Sequence, residues 1–291
     1  MDPVRWDERP RLRRPVLVAA FEGWNDAADA ASLAARYLAA SWGARRFASL
    51  DPEEFYDFTT TRPRIRLVDG MTRRIDWPDG ELAAASPPGA ARDVVFLHAA
   101  EPQLRWRTYA ASVVGVARTL GVELAVTLGA LLAEVPHTRP VPITGTAADS
   151  ELVSRLRLER SRYEGPTGIV GVLHDALRGA ELPSASLWAA VPHYASGTAS
   201  PKAALALVQR TAGLLGARVA TRELEVAAAT YERTVSEAVA ADEDAAAYVR
   251  HLEESGPEDD ELEWASGSDL AEEVERFLRG QGGGGDQGRT P

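Results

Sequence analysis

The stretch GVELAVTLGALLAEVPHTRPVPITGTA (residues 121–147) combines a buried strand with a stiff loop. Residues 122–128 are apolar except for Glu123 and Thr127, which predicts a strand in a sheet that is covered on both faces. Gly129 ends this apolar pattern. The loop over residues 134–142 follows and contains three prolines, which fix φ and remove backbone donors. The stretch therefore predicts an open α/β sheet with a rigid loop at one strand end.

The loop over residues 134–142 carries three reactive side chains: His137, Thr138 and Arg139. Open α/β sheets bind ligands beyond the carboxyl ends of their parallel strands. His137 titrates near neutral pH, and Arg139 can hold a carboxylate or phosphate through two parallel hydrogen bonds. We interpret the loop as a candidate ligand site. The alternative is a rigid loop whose polar groups satisfy its own backbone or a subunit interface.

A second candidate is the turn Tyr163-Glu164-Gly165-Pro166-Thr167-Gly168, which precedes a helix predicted to reach Arg178. Thr167 is suited to cap that helix, and Gly168 would let a ligand approach its first amides. The turn lacks the lysine and spacing of a P-loop. The alternative is an ordinary capped turn.

A third candidate follows the first predicted strand, PVLVAAF (residues 15–21). Here the turn Glu22-Gly23-Trp24-Asn25-Asp26 leads into a helix that ends near Ser41. Asn25 or Asp26 is a suitable N-cap. The first βα turn is also a common ligand site in such sheets, so its acids are candidates for holding a cation or a polar ligand, with capping as the alternative.

Two further candidate site residues, Glu101 and Trp106, follow the predicted strand DVVFLH (residues 93–98). Glu101 lies just past a strand end, and its ionic partner is left open among three arginines, Arg105, Arg107 and Arg139. An ordinary surface ion pair is the alternative.

A later strand, SLWAAV (residues 186–191), ends in Pro192-His193-Tyr194 and repeats the strand-Pro-His pattern that precedes Thr138. We expect His193 and His137 to face one crevice. Neither histidine has the spacing of a metal site, so the sequence predicts no metal and no cofactor.

Other segments complete the architecture. A strand is predicted over residues 45–50, a hairpin over 65–77 around Asp69-Gly70, and a helix from Pro201 to Leu215. Residues 221–254 show a helical apolar seam that only Asp242 interrupts. Such a seam packs on another helix of the same chain or of a partner.

Composition narrows the class of protein. The 291 residues contain no cysteine and carry a net charge of −11. Seven acids lie within residues 253–263, so the acidity is concentrated near the C-terminus and argues against nucleic-acid binding. The N-terminus lacks an apolar signal segment, and no apolar run approaches the roughly 20 residues of a membrane span. We therefore expect a cytoplasmic protein without membrane contact.

Four segments are predicted: a flexible lead-in (residues 1–14), an αβα core (15–220), a long helix with an acidic linker (221–264), and a short helix with a glycine-rich disordered tail (265–291). The chain lacks a G-x-S-x-G elbow, a Rossmann G-x-G-x-x-G and a P-loop lysine. Conventional hydrolases, dehydrogenases and nucleoside triphosphatases are therefore disfavoured.

Five motifs in order carry a family resemblance: FEGWNDAADA (21–30), EP-x-x-RW (101–106), LGALLAEVPHTRP (128–140), YEGPTG (163–168) and SLWAAVPHY (186–194). Together they resemble the proteasome assembly chaperone 2 family, in particular its actinobacterial branch, over roughly residues 15–255. The resemblance implies a three-layer αβα sandwich similar to the nucleoside phosphorylase/hydrolase-like fold, with a C-terminal helical appendage. It also implies a homo-oligomer, with a trimer favoured, and proteasome subunits as possible partners. It assigns no catalytic residue.

Three hypotheses follow. The first is a protein-binding assembly factor without conventional catalysis. The second is an enzyme or sensor for a small nucleoside-like or anionic ligand. In it Arg139 would hold the anion, His137 or Glu101 would move a proton, and Asn25 or Asp26 would orient the ligand. The third is a structural oligomer whose loops meet at subunit interfaces.

Overall fold

A computed structural model describes residues 3–147, 149–156, 158–160 and 163–255 of the chain. Its centre is a nine-stranded mixed sheet. In spatial order the strands are β1 (Val4–Trp6), β3 (Arg45–Leu50), β6 (Gly80–Ala85), β7 (Val94–Ala100), β2 (Val16–Glu22), β8 (Leu124–Ala133), β11 (Ser184–Pro192), β9 (Ile143–Ala147) and β10 (Glu159–Arg160). Strands β4 (Arg64–Val68) and β5 (Thr72–Asp76) form a separate hairpin.

The four central strands β7, β2, β8 and β11 run parallel to one another. Their carboxyl ends therefore meet at one side of the sheet, which we call the carboxyl edge. Strand β6 runs antiparallel to β7, and β3 runs antiparallel to β6. The chain consequently leaves β3 and enters β6 at the carboxyl edge, and the β4–β5 hairpin is inserted there.

Helices cover both faces of the sheet. They are α1 (Ala30–Ser41), α2 (Trp106–Leu120), α3 (Ser150–Leu156), α4 (Ile169–Gly179), α5 (Pro201–Leu215), α6 (Arg222–Ala240) and α7 (Glu243–Glu254). Alternate residues of β2 point to opposite faces: Val16, Val18 and Ala20 join a core with α1 and α5, whereas Leu17, Ala19 and Phe21 join a core with α2 and α4. The predicted α/β class is confirmed, and the layers are arranged α–β–α.

The predicted hairpin is present. Asp69 and Gly70 have φ values of 53° and 73°, and Val68 pairs with Thr72. The segment predicted as a flexible lead-in differs from the prediction, because its described part contains β1. That strand pairs with β3, and the Trp6 ring stacks on Phe47 with 5.8 Å between centroids. Three residues are too few to show an alternating pattern, so the sequence carries no signal for this strand.

Strand β8 continues through Gly129, where the apolar pattern was predicted to end. Gly129 lies directly opposite Trp188 of β11. A Cβ atom on Gly129 would collide with the six-membered ring of Trp188. Glycine is therefore required here by the close approach of an aromatic ring, not by a turn.

The helix predicted over residues 221–254 is divided into α6 and α7. The break falls at the residue that interrupts the apolar seam: Asp242 is the N-cap of α7, and its Oδ1 accepts hydrogen bonds from Asp244 N and Ala245 N, both 3.0 Å. The part of the seam on α6 packs on α5 of the same chain. The acidic linker from 256 onward, and the short helix and glycine-rich tail predicted over 265–291, lie outside the described residues. Within the described ranges, no helix combines the length and apolar composition that crossing a membrane requires.

Candidate functional site

The first βα turn is anchored tightly at the carboxyl edge. Gly23 has a φ of 114°, which an L side chain rarely adopts, and its carbonyl accepts a hydrogen bond from Asp26 N at 3.0 Å. The Asn25 carbonyl accepts from Ala130 N of β8 at 2.9 Å. The turn therefore joins the ends of two neighbouring strands.

Asp26 is the capping residue of this turn. Its Oδ1 accepts hydrogen bonds from Ala31 N at 2.6 Å and Ser32 N at 3.2 Å, in the first turn of α1. Burial raises the pKa of Asp26. Its Oδ2 has no hydrogen-bond partner among the described residues. Of the two capping candidates, Asp26 fills the role and Asn25 faces elsewhere.

Asn25 faces Glu101, which follows β7. Glu101 Oε1 accepts hydrogen bonds from Asn25 Nδ2 at 3.3 Å and from Ile169 N at 2.8 Å. A carboxylate at the positive end of a helix is favourable, so Glu101 caps α4 from another part of the chain. The cap expected from Thr167 is not formed, because its hydroxyl contacts the Gly168 carbonyl at 3.4 Å. The expected arginine partner of Glu101 is also wrong: amide groups hold the carboxylate.

Gly168 closes this group of residues. A Cβ atom there would lie 2.5 Å from both Asn25 Nδ2 and Glu101 Oε1, and 3.1 Å from Trp24 Cε3. We call Trp24, Asn25, Glu101 and Gly168 the edge cluster. Within it Asn25 Nδ2 donates to Glu101 Oε1, while the Trp24 side chain is 59% exposed.

The remaining candidates on this side make local contacts. Glu22 accepts from Arg36 at 2.6 Å; a hydrogen bond from His98, together with that guanidinium, lowers the pKa of Glu22 to about 2. The indole N–H of Trp106 donates to the Pro102 carbonyl. In the turn before α4, Tyr163 Oη donates to the Pro166 carbonyl at 2.7 Å and lies close to Gly165, while Glu164 is exposed.

The loop over residues 134–142, here the proline loop, forms a second and separate cluster around His137. His137 N donates to Tyr194 Oη at 2.8 Å, and the Tyr194 hydroxyl also lies 2.9 Å from His137 Nδ1. Ser236 Oγ donates its single hydrogen to a carbonyl and therefore accepts from His137 Nε2. In the neutral ring Nδ1 is then the acceptor, and the Tyr194 hydroxyl donates to it. Nε2 then carries the ring proton and donates to Ser236 Oγ at 2.9 Å, and Ser236 donates onward to the Glu232 carbonyl at 2.8 Å.

This chain of hydrogen bonds requires a neutral imidazole. Burial and the nearby Lys202 ammonium lower the pKa of His137. The side chain is 3% exposed, and both ring nitrogens are occupied. In this arrangement His137 fastens the proline loop to α6.

The other residues of the proline loop are held by the same helices. Thr138 Oγ1 donates to Glu253 Oε1 at 2.5 Å, and Arg139 donates to the Glu253 carbonyl. Lys202 donates to the His137 carbonyl and pairs with Glu232. The anion-binding groups predicted here are therefore engaged with α7.

His137 and His193 both pack on the ring of Tyr194, but His193 does not line the grooves beside His137. His193 packs edge-to-face on Tyr194, with centroids 5.6 Å apart, and on Tyr248 of α7 at 5.5 Å. A shallow groove of about 210 Å³ remains between the loop and α6–α7, lined by His137, Thr138, Ser236, Val239, Val249 and three neighbours. The structure thus divides the predicted crevice into the edge cluster and the helix-covered proline loop.

Comparison with known proteins identifies the family of this chain. The sequence profile of the PAC2 family matches residues 20–239. The chain belongs to the PAC2 family. This confirms the resemblance drawn from the five motifs. The comparison with curated proteins gave no match.

Two actinobacterial relatives of known structure are similar along nearly their whole length. A PAC2 family protein from Streptomyces avermitilis is 46% identical, with a TM-score of 0.76, over 81% of this chain and 99% of that one. A Mycobacterium tuberculosis protein described as a proteasome-assembly chaperone homologue is also 46% identical, with a TM-score of 0.73, over 80% and 99% of the two chains. PbaB of Pyrococcus furiosus, described as an archaeal proteasome activator, is 16% identical with a TM-score of 0.64 over 82% and 99%, and shares the fold.

This PAC2 family member also contains a polar network that we did not predict from its sequence. His174 Nε2 lies 2.9 Å from Thr127 Oγ1 and 2.8 Å from Ser186 Oγ, and Nδ1 lies 2.8 Å from Ser184 Oγ. Burial lowers the pKa of His174 to about 4. The sequence signal that could have indicated this network is a hydroxyl side chain in each of two apolar strands, Thr127 and Ser186. The network lies beneath α4, inside the strands and away from the carboxyl edge.

Within the described part of the chain, no group of three or more His, Asp or Glu side chains is placed to hold a metal ion.

Proposed function

We propose that this PAC2 family member is a protein-binding assembly factor that recognises proteasome subunits through its carboxyl edge. The observation that carries the proposal is the distribution of exposed apolar side chains. Of the nine large apolar side chains exposed among the described residues, eight belong to segments at this edge. They are Trp24, Ile65, Leu67, Met71, Ile75, Trp77, Leu104 and Tyr163. The ninth, Val226, lies on α6.

These side chains belong to connected segments. Gln103 Nε2 donates to the Glu101 carbonyl at 2.9 Å and to Thr61 Oγ1 at 3.0 Å. The ring centroids of Phe58 and Trp77 are 5.0 Å apart. The edge cluster is thereby linked to the base of the hairpin. Clustered exposed apolar side chains are typical of protein interaction sites, and tryptophan is enriched among the residues that dominate binding energy.

The relatives and the state of His137 support a binding role. A relative with 46% identity is described as a proteasome-assembly chaperone homologue, and we extend that role to this chain. His137 has both ring nitrogens in structural hydrogen bonds, which favours a fixed loop over proton transfer. We also propose that the protein is cytoplasmic, that it forms a homo-oligomer, with a trimer favoured, and that its fold resembles that of nucleoside phosphorylases and hydrolases.

The test is a binding measurement between the full-length protein and proteasome α-subunits of the same organism. Trp24→Ala combined with Leu104→Ala removes two exposed side chains at the carboxyl edge, one of them in the edge cluster. Residues that dominate an interface typically contribute about 2 kcal/mol or more, so we expect affinity to fall by roughly 30-fold.

The matched control is Val226→Ala, which removes a side chain that is 60% exposed and distant from the carboxyl edge. Its affinity should match that of the unmodified protein. Equal weakening by both variants would contradict recognition at the carboxyl edge. Absence of any binding to α-subunits would contradict the proposed partner.

A further inference from the structure

A small cavity lies between the proline loop, the end of β11 and the helices α5 and α6. Its volume of about 10 Å³ is close to the space that a single water molecule needs, roughly 10–15 Å³. Most of its wall consists of apolar side chains of the loop and of β11, and the polar side chains in the wall are His137, Arg139, Ser200, Lys202 and Tyr231. None of the lining residues is among the exposed apolar side chains that carry the proposed function.

Tyr231 of α6 brings a buried hydroxyl without a direct protein partner to this wall. The residue is 8% exposed, and its Oη has no hydrogen-bond partner among the described residues. Burial raises the pKa of Tyr231, and the nearby Ser200 hydroxyl opposes that increase, although the two oxygens do not form a direct hydrogen bond. A buried hydroxyl that has given up its bonds to solvent is costly unless another partner replaces them.

Two groups of α5 in the same wall have hydrogen-bonding capacity to spare. Ser200 Oγ accepts from Ala203 N at 3.3 Å, and its own hydrogen has no acceptor within the described ranges. The Lys202 ammonium has three N–H donors and uses two of them, on the His137 carbonyl and on Glu232. One cavity of water size is therefore lined by two hydroxyl groups and an ammonium group that can each make a further bond.

We propose that this cavity binds one ordered water molecule that connects Tyr231 of α6 to Ser200 and Lys202 of α5. The water accepts from Lys202 Nζ or Ser200 Oγ and donates to Tyr231 Oη. Buried waters typically make about three hydrogen bonds to polar groups that the chain leaves unsatisfied, and a bridging water is nearly as favourable as a direct bond.

The water gives α6 a second attachment. His137 holds this helix through Ser236, and the water holds it through Tyr231, five positions earlier on the same helix. The proline loop forms part of the cavity wall, so both attachments lie beside it. The site is independent of the proposed binding to proteasome subunits.

Tyr231→Phe tests the proposal because it removes the hydroxyl and keeps the ring. If a water binds Tyr231 Oη, the variant loses a hydrogen bond, and the water keeps fewer partners. We expect the equilibrium constant for unfolding of the full-length protein, measured by urea denaturation, to increase about fivefold. If the hydroxyl has no partner, its removal relieves the cost of burying it, and the variant is as stable as the unmodified protein or more stable.

The matched control is Tyr248→Phe. The Tyr248 hydroxyl is also buried without a partner among the described residues, but Tyr248 does not line the cavity. Its ring packs edge-to-face on His193 and Tyr194. This variant should be at least as stable as the unmodified protein, which separates the loss of a bound water from a general effect of Tyr→Phe substitution.

A crystal structure of the full-length protein, at a resolution that shows ordered water, locates the molecule directly. We expect one density peak at about 2.5–3.0 Å from Tyr231 Oη, within hydrogen-bond distance of Ser200 Oγ or Lys202 Nζ as well. Absence of this peak would overturn the proposal, and a direct bond between Tyr231 and Ser200 would then explain any destabilisation by Tyr231→Phe. A Tyr231→Phe variant that is as stable as the unmodified protein, or more stable, would also overturn it.

Discussion

Replacing Gly168 by alanine tests the geometry of the edge cluster. The backbone at Gly168 has φ of −92°, which alanine adopts readily, so any cost must come from contacts. The new methyl group would lie 2.5 Å from Glu101 Oε1 and from Asn25 Nδ2. The two side chains must move apart, and the hydrogen bonds from Ile169 N and Asn25 to the carboxylate are lost or weakened.

The size of the effect follows from those two bonds. A hydrogen bond to a charged group contributes about 1.5–3 kcal/mol, and the longer bond from Asn25 contributes roughly 0.5–1.5 kcal/mol. Replacing glycine also reduces the entropy of the unfolded chain, which returns about 0.4–1 kcal/mol. We expect the free energy of unfolding to decrease by about 1–4 kcal/mol, measured by urea denaturation at neutral pH.

The matched control is Gly179→Ala, at the other end of α4. A Cβ atom there has no neighbour within 4 Å, so this variant should be unchanged or more stable by up to about 1 kcal/mol. A Glu101→Ala background removes the carboxylate and should reduce the cost of Gly168→Ala. The reasoning is refuted if Gly168→Ala and Gly179→Ala have the same stability, or if the cost persists without Glu101.

Three further outcomes are expected. Gly129→Ala should decrease the free energy of unfolding by about 1–3 kcal/mol through overpacking against Trp188; a cost that is undiminished in a Trp188→Ala background would contradict the assigned cause. The pKa of His174 is about 4 in the folded protein, whereas an unperturbed histidine has a pKa of about 6.5. The unfolded chain therefore binds the proton more tightly, and acidification from about pH 6.5 to about pH 4 should remove about 3 kcal/mol of stability. In His174→Gln this slope should be smaller, and an equal slope would count against the buried network. His137→Ala should loosen α6 and α7 and accelerate limited proteolysis within residues 222–255, whereas an unchanged cleavage rate would show that the ring does not fasten the helices.

The features that the sequence predicted well depend on neighbouring residues. Asp69-Gly70 fixes a hairpin through local φ values, and Ser200 with Pro201 starts α5 through its own cap, where Ser200 Oγ accepts from Ala203 N at 3.3 Å. The alternation of β2 between the two cores likewise reflects a short apolar run. Such signals are present in a few consecutive residues.

The arrangement of the candidate site depends on distant residues. The cap of α4 comes from Glu101, 68 positions earlier, so no motif near Thr167 contains it. The glycine at 129 is explained only when Trp188 is placed opposite it. For His137, the residue type indicated proton chemistry, while the actual partners, Tyr194 and Ser236, lie 57 and 99 positions away.

The proline loop acquires its contacts in a fixed temporal order during synthesis. Ser236 is 99 positions after His137, and Glu253 is 115 positions after Thr138. At roughly 5–20 residues per second, the ribosome needs about 6–23 s to add those 115 residues. During that interval the nascent core exposes the loop and the ends of β8 and β11. Synthesis of α6 and α7 is thus the step that covers them, and a product terminated before Ser236 would present the same surface to chaperones and proteases.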